Sequence, residues 1–178
     1  HLTMLERKEA REQISFYKKN RKTLQYGRLI RHDTPKLNKV YVQTVSQDQE
    51  KSIVGVYQTL AQAAEGNDIL PIAGLKKTLR YQIQTRSQRV FLHRFGGLIN
   101  HLLPFSINPN GFLFRWADRL YAMQDCVETY QATGQVLMQG AHLNNQFVGT
   151  GYNERVRLLG DFGSNLYTIE AIPSEQKQ

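Results

Sequence analysis

The sequence predicts a mainly β fold: an antiparallel, Greek-key-like β-sandwich preceded by one amphipathic helix. Apolar residues recur at helical spacing in the first 31 residues, and after Pro35 their period changes to two. From there on, short runs rich in β-branched and aromatic residues alternate with polar connections. That succession is typical of antiparallel strands joined by turns, and it favours a sandwich with a helix docked at its start.

The first element is a charged helix with an apolar stripe. Ala10, Ile14, Tyr17 and Leu24 fall at helical spacing on one side, while lysines and arginines occupy another. Gly27 is expected to end the helix, because glycine readily adopts the conformation that closes one. An isolated stripe needs a partner surface. We therefore expect it to be buried against a neighbour, and to promote self-association where that neighbour is missing.

The strands follow from the segments with a period of two. Residues 40–45 and 52–60 are β-branched and aromatic runs with a polar connection between them, which predicts an antiparallel hairpin. The remaining predicted strands are residues 79–84, 156–159 and 166–172. A turn at residues 160–163 joins the last two. Residues 87–125 fit neither period, so their pattern does not decide between strand and helix.

The composition is that of a globular protein. The chain has 178 residues, of which 40% are hydrophobic and 21% charged, and this is enough for one domain with its own core. No apolar run is long enough to span a bilayer, and residues 1–25 lack the apolar core of a secretory signal. The single cysteine, Cys126, follows apolar residues and is expected to be a buried thiol. A lone cysteine fits a reducing compartment, so we expect a cytoplasmic protein. Because no apolar run could span a bilayer, we also expect no membrane partner.

The net charge of +8 is concentrated in one segment. Residues 1–31 hold nine Lys/Arg and three Asp/Glu, so the remainder of the chain is close to neutral. A nucleic-acid domain usually spreads basic residues over a groove and interleaves exposed aromatic residues. Because the basic residues here follow one helix, we interpret them as a solvated helix face and expect no nucleic-acid partner. A basic helix that binds polyanions is the alternative.

The sequence offers no pattern for a metal or a cofactor. None of the five histidines pairs with another at metal-ligand spacing, and Cys126 has no second cysteine. A Cys–His nucleophilic pair stays open, since such residues meet only in space. The glycines of the segment 149–151 lack the third glycine of a dinucleotide loop. We therefore predict no cofactor-binding residues and no metal ligands.

Some carboxylates and aromatic residues of the chain are of the types that carbohydrate chemistry uses. Glycoside hydrolysis requires two carboxyl groups that flank the scissile bond. The candidates lie in turns or in segments of undefined period, so no catalytic residue is predicted; they are Asp118, Asp125, Glu128 and Asp161. Four aromatic residues are considered for stacking on a sugar ring, although each is more often a core residue: Tyr41, Tyr57, Trp116 and Tyr152. Trp116 and Tyr152 are retained as possible stacking residues.

Two blocks carry a family resemblance. Residues 13–27 read QISFYKKNRKTLQYG, and residues 149–167 read GTGYNERVRLLGDFGSNLY. Together they resemble the end of the family 36 glycoside hydrolases, the α-galactosidases that act on raffinose and melibiose. In that family a helix of the first type closes the catalytic barrel, and a C-terminal antiparallel sandwich finishes with a strand of the second type. Between the two blocks, residues 52–60 resemble a strand of that family and residues 72–75 resemble one of its turns. Residues 93–111 resemble an insertion that is found in Firmicute-type members.

The resemblance implies a division of the chain and a role for each part. Residues 1–31 would be the terminal helix of the (β/α)8 barrel, residues 32–173 the C-terminal sandwich and residues 174–178 a polar tail. The parent's partners would be α-galactosides, and this chain's partners the barrel domain and further copies in a homo-oligomer.

The resemblance also implies what this chain lacks. The family's two catalytic aspartates lie in upstream barrel motifs that do not occur here. The chain alone is therefore expected to be inactive and to serve structural or assembly support. A carbohydrate-binding module is the alternative.

Overall fold

The computed structural model describes residues 4–60, 68–86, 89–91, 122–124, 126–146 and 155–173. The helices are α1 (Met4–Tyr26) and α2 (Gly134–Leu137). The strands are β1 (Arg28–His32), β2 (Lys39–Val45), β3 (Lys51–Gln58), β4 (Ile69–Leu70), β5 (Arg80–Thr85), β6 (Arg89–Phe91), β7 (Ala122–Gln124), β8 (Thr129–Thr133), β9 (Ala141–His142) and β10 (Ser164–Ala171). In the described ranges, no helix combines the length and the apolar character that a bilayer crossing requires.

Six strands form the main antiparallel sheet, in the order β1-β2-β3-β10-β5-β8. The strands β4 and β9 form a second antiparallel pair, and β6 and β7 a third. The last strand, β10, lies between β3 and β5, where Tyr167 pairs with Val54 on one side and with Thr85 on the other. The prediction of a mainly antiparallel β fold with one leading helix is confirmed.

The core lies on one face of this sheet. Alternate residues of the strands point into it, as the period of two requires. The sheet contributes Tyr41, Val54, Val56, Tyr81, Ile83, Tyr167 and Ile169. The opposing layer consists of the β4–β9 pair, α2 and their connections, which supply Leu70, Ile72, Leu75, Leu137, Ala141, Leu143 and Leu159. We call the other face of the six-stranded sheet the helix-bearing face, because α1 packs there against β2 and β3.

The structure departs from the sequence expectations at residues 156–159 and at β1. Residues 156–159 form no strand; Arg157 makes only an isolated parallel bridge with Gln146. Their apolar side chains nevertheless pack in the interior, which explains why the run resembled a strand. The strand β1 was not predicted, since Arg28 to His32 mixes charged and apolar residues. Most of the undecided segment 87–125 lies outside the described residues.

Candidate interdomain surface and buried charge network

The side of α1 that faces the sheet is more polar than the sequence suggested. Phe16, Asn20, Thr23 and Gly27 follow one another at steps of four, three and four, which places them on one face. Asn20 and Thr23 are buried. The Arg86 guanidinium lies 5.1 Å from the centre of the Phe16 ring and ties the helix to the end of β5.

Gly27 allows α1 to end directly on the sheet. A Cβ at this position would lie 2.3 Å from the Thr23 carbonyl oxygen and 2.7 Å from that of Val45. The Gly27 amide donates a hydrogen bond of 2.9 Å to the Thr23 oxygen. The Gln47 side-chain amide donates another, of 2.8 Å, to the Tyr26 oxygen. These two bonds satisfy carbonyl groups that the helix itself leaves unpaired, so the predicted end at Gly27 is confirmed.

The predicted stripe is not what the helix buries. Ile14 is 53% exposed and Tyr17 43% exposed, while Ala10 and Leu24 are partly buried. The sheet of this chain therefore leaves most of the predicted stripe exposed. The helix instead turns the face with Phe16, Asn20, Thr23 and Gly27 toward the sheet. The small residues of this face allow the helix backbone to lie close to the sheet. The helix thus presents an apolar surface that nothing in the described residues covers.

A buried aspartate lies at the centre of the second notable region. Asp68, directly before β4, is 99% buried and accepts hydrogen bonds on both carboxylate oxygens. Lys36 donates to one oxygen. The Lys39 ammonium and one Arg157 amino group each lie 2.6 Å from the other oxygen. Lys39 also donates to the Gln146 side-chain oxygen at 3.2 Å. We call these five residues the Asp68 network.

The electrostatics of the Asp68 network make its carboxylate a structural anchor. Burial alone would raise the pKa of Asp68, but the hydrogen bonds from Lys36, Lys39 and Arg157 outweigh it and hold the pKa well below its usual range. Asp68 is therefore ionised at neutral pH. Because three cations already occupy its oxygens, it is unavailable as a base or a nucleophile.

A second buried carboxylate, Glu128, is satisfied in the same way. One oxygen accepts hydrogen bonds from the Asn144 amide and from the Tyr130 hydroxyl, the latter at 2.9 Å. The other accepts one from the Tyr167 hydroxyl at 3.2 Å. Burial, together with Glu128, raises the pKa values of both tyrosines, so they stay protonated donors. The Arg157 side-chain NH that donates to the Asn144 oxygen at 2.6 Å connects this group to the Asp68 network.

The candidate residues named from the sequence differ in where the structure places them. Trp116 and Tyr152, the possible stacking residues, lie outside the described residues, as do Asp118 and Asp125. Cys126 is buried, as expected of a core thiol. Tyr41 belongs to the core, whereas Tyr57 is half exposed on the helix-bearing face. Asp161 is exposed in the turn that precedes β10. Within the described ranges, no group of three or more His, Cys, Asp or Glu residues could hold a metal ion.

Sequence reasoning missed Asp68, Lys39 and Arg157. A signal for two of them was present. Lys39 stands two residues before the inward-facing Tyr41, and Arg157 stands within the apolar run 156–159. A charged residue at a core position of either pattern predicts a buried partner of opposite sign. Asp68 itself, in the turn sequence Gly-Asn-Asp, carries no such signal.

The leading helix and the six-stranded sheet define the chain as a helix-led antiparallel β domain. Its family is shown by a family model: the chain belongs to the glycosyl hydrolase family 36 C-terminal domain, which matches residues 39–169. No curated protein sequence matches the chain significantly.

Solved structures share the fold. The α-galactosidase from Lactobacillus brevis has a TM-score of 0.61 at 22% identity, over 99% of this chain and 18% of that one. Two α-galactosidases from Geobacillus stearothermophilus, AgaA and AgaB, have TM-scores of 0.57 at 21% and 22% identity, over 96% of this chain and 16% of theirs. The chain therefore spans less than a fifth of the length of these enzymes.

Proposed function

We propose that this chain is the C-terminal, non-catalytic part of an α-galactosidase. In the full-length enzyme an upstream (β/α)8 barrel would hydrolyse terminal α-D-galactosyl residues with two aspartates, one as nucleophile and one as acid and base. Residues 1–31 would end the barrel, residues 32–173 would form the C-terminal domain and residues 174–178 a polar tail. Membership of the family and the small share of its relatives that the chain covers support this assignment.

The uncovered stripe of α1 is the observation that carries the proposal. Half-exposed Ile14 and Tyr17 would bury their apolar surface against a barrel that precedes or surrounds the helix. Apolar burial contributes roughly 25 cal/mol per Å², so the helix would be stabilised by a partner rather than by the sheet alone. The role of the chain would then be structural: it closes the barrel and covers one of its sides.

The Asp68 network fits such a supporting role. It joins the start of β2 to the segment before β4 and to the region of Arg157, which are far apart in sequence. Charge-assisted hydrogen bonds to one buried carboxylate can fix the relative positions of the segments that they join. The environments of Asp68 and Glu128 support a non-catalytic role, because the oxygens of both carboxylates accept hydrogen bonds from donors within the chain.

Hydrolysis of a chromogenic α-galactoside tests the proposal. The full-length polypeptide that ends in these residues is expected to hydrolyse it, and the 178-residue chain is expected to give no more product than buffer. Turnover by the isolated chain would contradict a non-catalytic role. A full-length polypeptide without a barrel, or without its two aspartates, would contradict the assignment to an α-galactosidase.

Two further properties belong to the same proposal. We expect a cytoplasmic enzyme, because a single buried cysteine suits a reducing compartment. We also expect a homo-oligomer, since exposed apolar side chains promote association. Sedimentation of the full-length enzyme tests the second expectation, and a strictly monomeric enzyme would contradict it.

A carbohydrate-binding module is the second candidate, and one feature favours it. The helix-bearing face holds a groove of about 240 Å³ beside β5 and β10. It is lined by Gln82, Gln84, Thr168, Glu170, Ala171, Ile172 and Pro173. Amide, hydroxyl and carboxylate groups of this kind can bind sugar hydroxyls. Titration with melibiose, followed by Trp116 fluorescence and by the amide signals of Gln82 and Gln84, would detect binding; no change at millimolar sugar would remove this candidate.

A further inference from the structure

The Asp68 network contains buried donors that have no acceptor in the described parts of the chain. The side chain of Arg157 is 1% exposed. Its Nε and Nη2 groups donate hydrogen bonds of 2.6 Å to the Asn144 oxygen and to Asp68, but its Nη1 group is buried and unpaired. The side-chain nitrogen of Gln146 is also buried and unpaired, although the oxygen of the same amide accepts from Lys39. A buried NH group without an acceptor is unfavourable, so both groups point to an acceptor that the described residues do not supply.

The two unpaired NH groups belong to adjacent side chains. Gln146 and Arg157 form a parallel bridge, and the Arg157 amide donates a hydrogen bond of 2.9 Å to the oxygen of Asn145. Their side chains meet again at Lys39, which donates to Gln146 and shares one oxygen of Asp68 with Arg157. One acceptor beside this pair of side chains could therefore serve both unpaired groups.

The charges around these donors do not balance. Three side chains of the network are cations, namely Lys36, Lys39 and Arg157, and one is an anion, Asp68. Glu128 is a second buried carboxylate that acts on Arg157, but its oxygens accept from a backbone amide and two tyrosine hydroxyls. Even with Glu128 included, the group has a surplus of one positive charge. Water could accept from the unpaired NH groups, but it would leave this charge uncompensated.

We infer that the Asp68 network binds a small monovalent anion of the halide class, which accepts hydrogen bonds from Arg157 Nη1 and from the Gln146 side-chain amide. A halide carries the single negative charge that the group lacks. A doubly charged anion such as sulfate would exceed the surplus and would lose more hydration on burial. Lys36 keeps 31% of its side chain in solvent, so the network is not sealed from ions in the medium. All the contacts that support this site lie within the chain, so the site would remain if the proposed function were wrong.

Thermal unfolding tests the site by mass action, because an anion that binds only the folded chain raises its melting temperature. Sodium gluconate is replaced stepwise by sodium chloride at constant pH and ionic strength, so that general screening of charges stays the same. The melting temperature of the 178-residue chain should rise by several degrees across the series. No dependence on chloride would assign the unpaired groups to water or to an acceptor of the chain itself, and it would overturn the inference.

A charge-adding variant separates this site from general effects of chloride. Gln146→Glu places a carboxylate oxygen where the amide nitrogen lies and supplies the missing charge internally. Its melting temperature should not depend on chloride, and in gluconate it should equal or exceed that of the natural chain. Gln131→Glu adds the same charge at an exposed position of β8 and should retain the full dependence. An equal rise with chloride in all three chains would overturn the inference.

Crystallography locates the anion in the unmodified protein and does not depend on the folding of any variant. In crystals soaked in sodium bromide, anomalous scattering should show bromide within hydrogen-bond distance of Arg157 Nη1 and of the Gln146 side-chain nitrogen. Bromide found only beside the exposed lysines and arginines of α1 would overturn the inference. Bromide at the network together with a melting temperature that ignores chloride would mean an adventitious ion only, and it would overturn the inference as well.

Discussion

The α1 helix and the Asp68 network show opposite solutions to the same packing problem. The network surrounds one buried carboxylate with four charged or polar side chains, of which Lys39 and Arg157 are buried, and it satisfies that carboxylate internally. The helix buries Asn20 and Thr23 and leaves Ile14 and Tyr17 in solvent. The first region satisfies its carboxylate within the described residues, whereas the second leaves apolar side chains exposed. This difference teaches that a buried charge is matched by groups of the chain itself, whereas the apolar stripe of α1 has no such match among the described residues.

Removing the charge of Asp68 should give the largest effect. Asp68→Asn leaves Lys39 and Arg157 buried without their counter-charge, which costs about 3–5 kcal/mol. Urea unfolding followed by circular dichroism measures the loss. Glu170→Gln is the matched control, since its pair with Lys51 at 2.6 Å is partly exposed and contributes less than about 1 kcal/mol. Equal, small losses in both variants would mean that the network is no more than a surface ion pair.

The pH dependence of stability sharpens the same point. The folded-state pKa of Asp68 lies below its unfolded value, although burial acts in the opposite direction, because the hydrogen bonds from Lys36, Lys39 and Arg157 outweigh it. Its contribution is therefore fully present above an unfolded pKa of about 3.9, and it is lost as the pH falls from there toward the lower folded value. Urea midpoints between pH 2 and 7 should show this loss setting in below about pH 4 for the natural chain. The Asp68→Asn chain should show a flatter profile, and parallel profiles would contradict the assignment.

Substitution of Gly27 probes the junction between α1 and the six-stranded sheet. Gly27→Ala places a methyl group against the Thr23 and Val45 oxygens and should cost about 2 kcal/mol. Hydrogen exchange should quicken in α1 before it quickens in β2. Gly160→Asn is the control, since its Cβ would meet nothing within 4 Å and Asn tolerates its positive φ of 65°. Retained protection of α1 in Gly27→Ala would show that the helix does not depend on this close approach.

The contact of Arg86 with Phe16 should contribute less. Arg86→Gln removes the cation from the ring and should destabilise the docked helix by about 0.5–1 kcal/mol. Hydrogen exchange of the α1 amides detects an effect of this size. Arg80→Gln, an exposed arginine at the start of β5, should leave α1 unchanged, and an equal effect in both variants would assign the loss to net charge.

The stripe itself should affect stability least. Ile14→Lys together with Tyr17→Lys should change the free energy of unfolding of the isolated chain by less than about 0.5 kcal/mol, because both side chains are exposed. The same variant should be more monomeric in analytical ultracentrifugation than the natural chain. Val136→Lys provides the control for added charge. A clear loss of stability would mean that the stripe is packed after all. Unchanged self-association of the chain would exclude the stripe as the surface through which copies associate.

The sequence alone predicts an element correctly where the role of each side chain follows from its neighbours in sequence. The hairpin of β2 and β3, the strands β5 and β10 and the end of α1 at Gly27 all follow from periodicity and turn chemistry. The face of α1 that packs was not predictable from apolar periodicity, since Asn20 and Thr23 are polar. The partners of Asp68 lie far along the chain, and only the tertiary fold brings Lys39 and Arg157 to it.

The central place of β10 makes the sheet vulnerable at its final segment. Loss of residues after Gly163, by proteolysis or a premature stop codon, would separate β1, β2 and β3 from β5 and β8, because β10 alone bridges them in the described sheet. Each half would then present a bare strand edge, which invites pairing with other chains. During synthesis the two halves cannot join into one sheet before β10 has been made, and this dependence on late pairing favours slow folding.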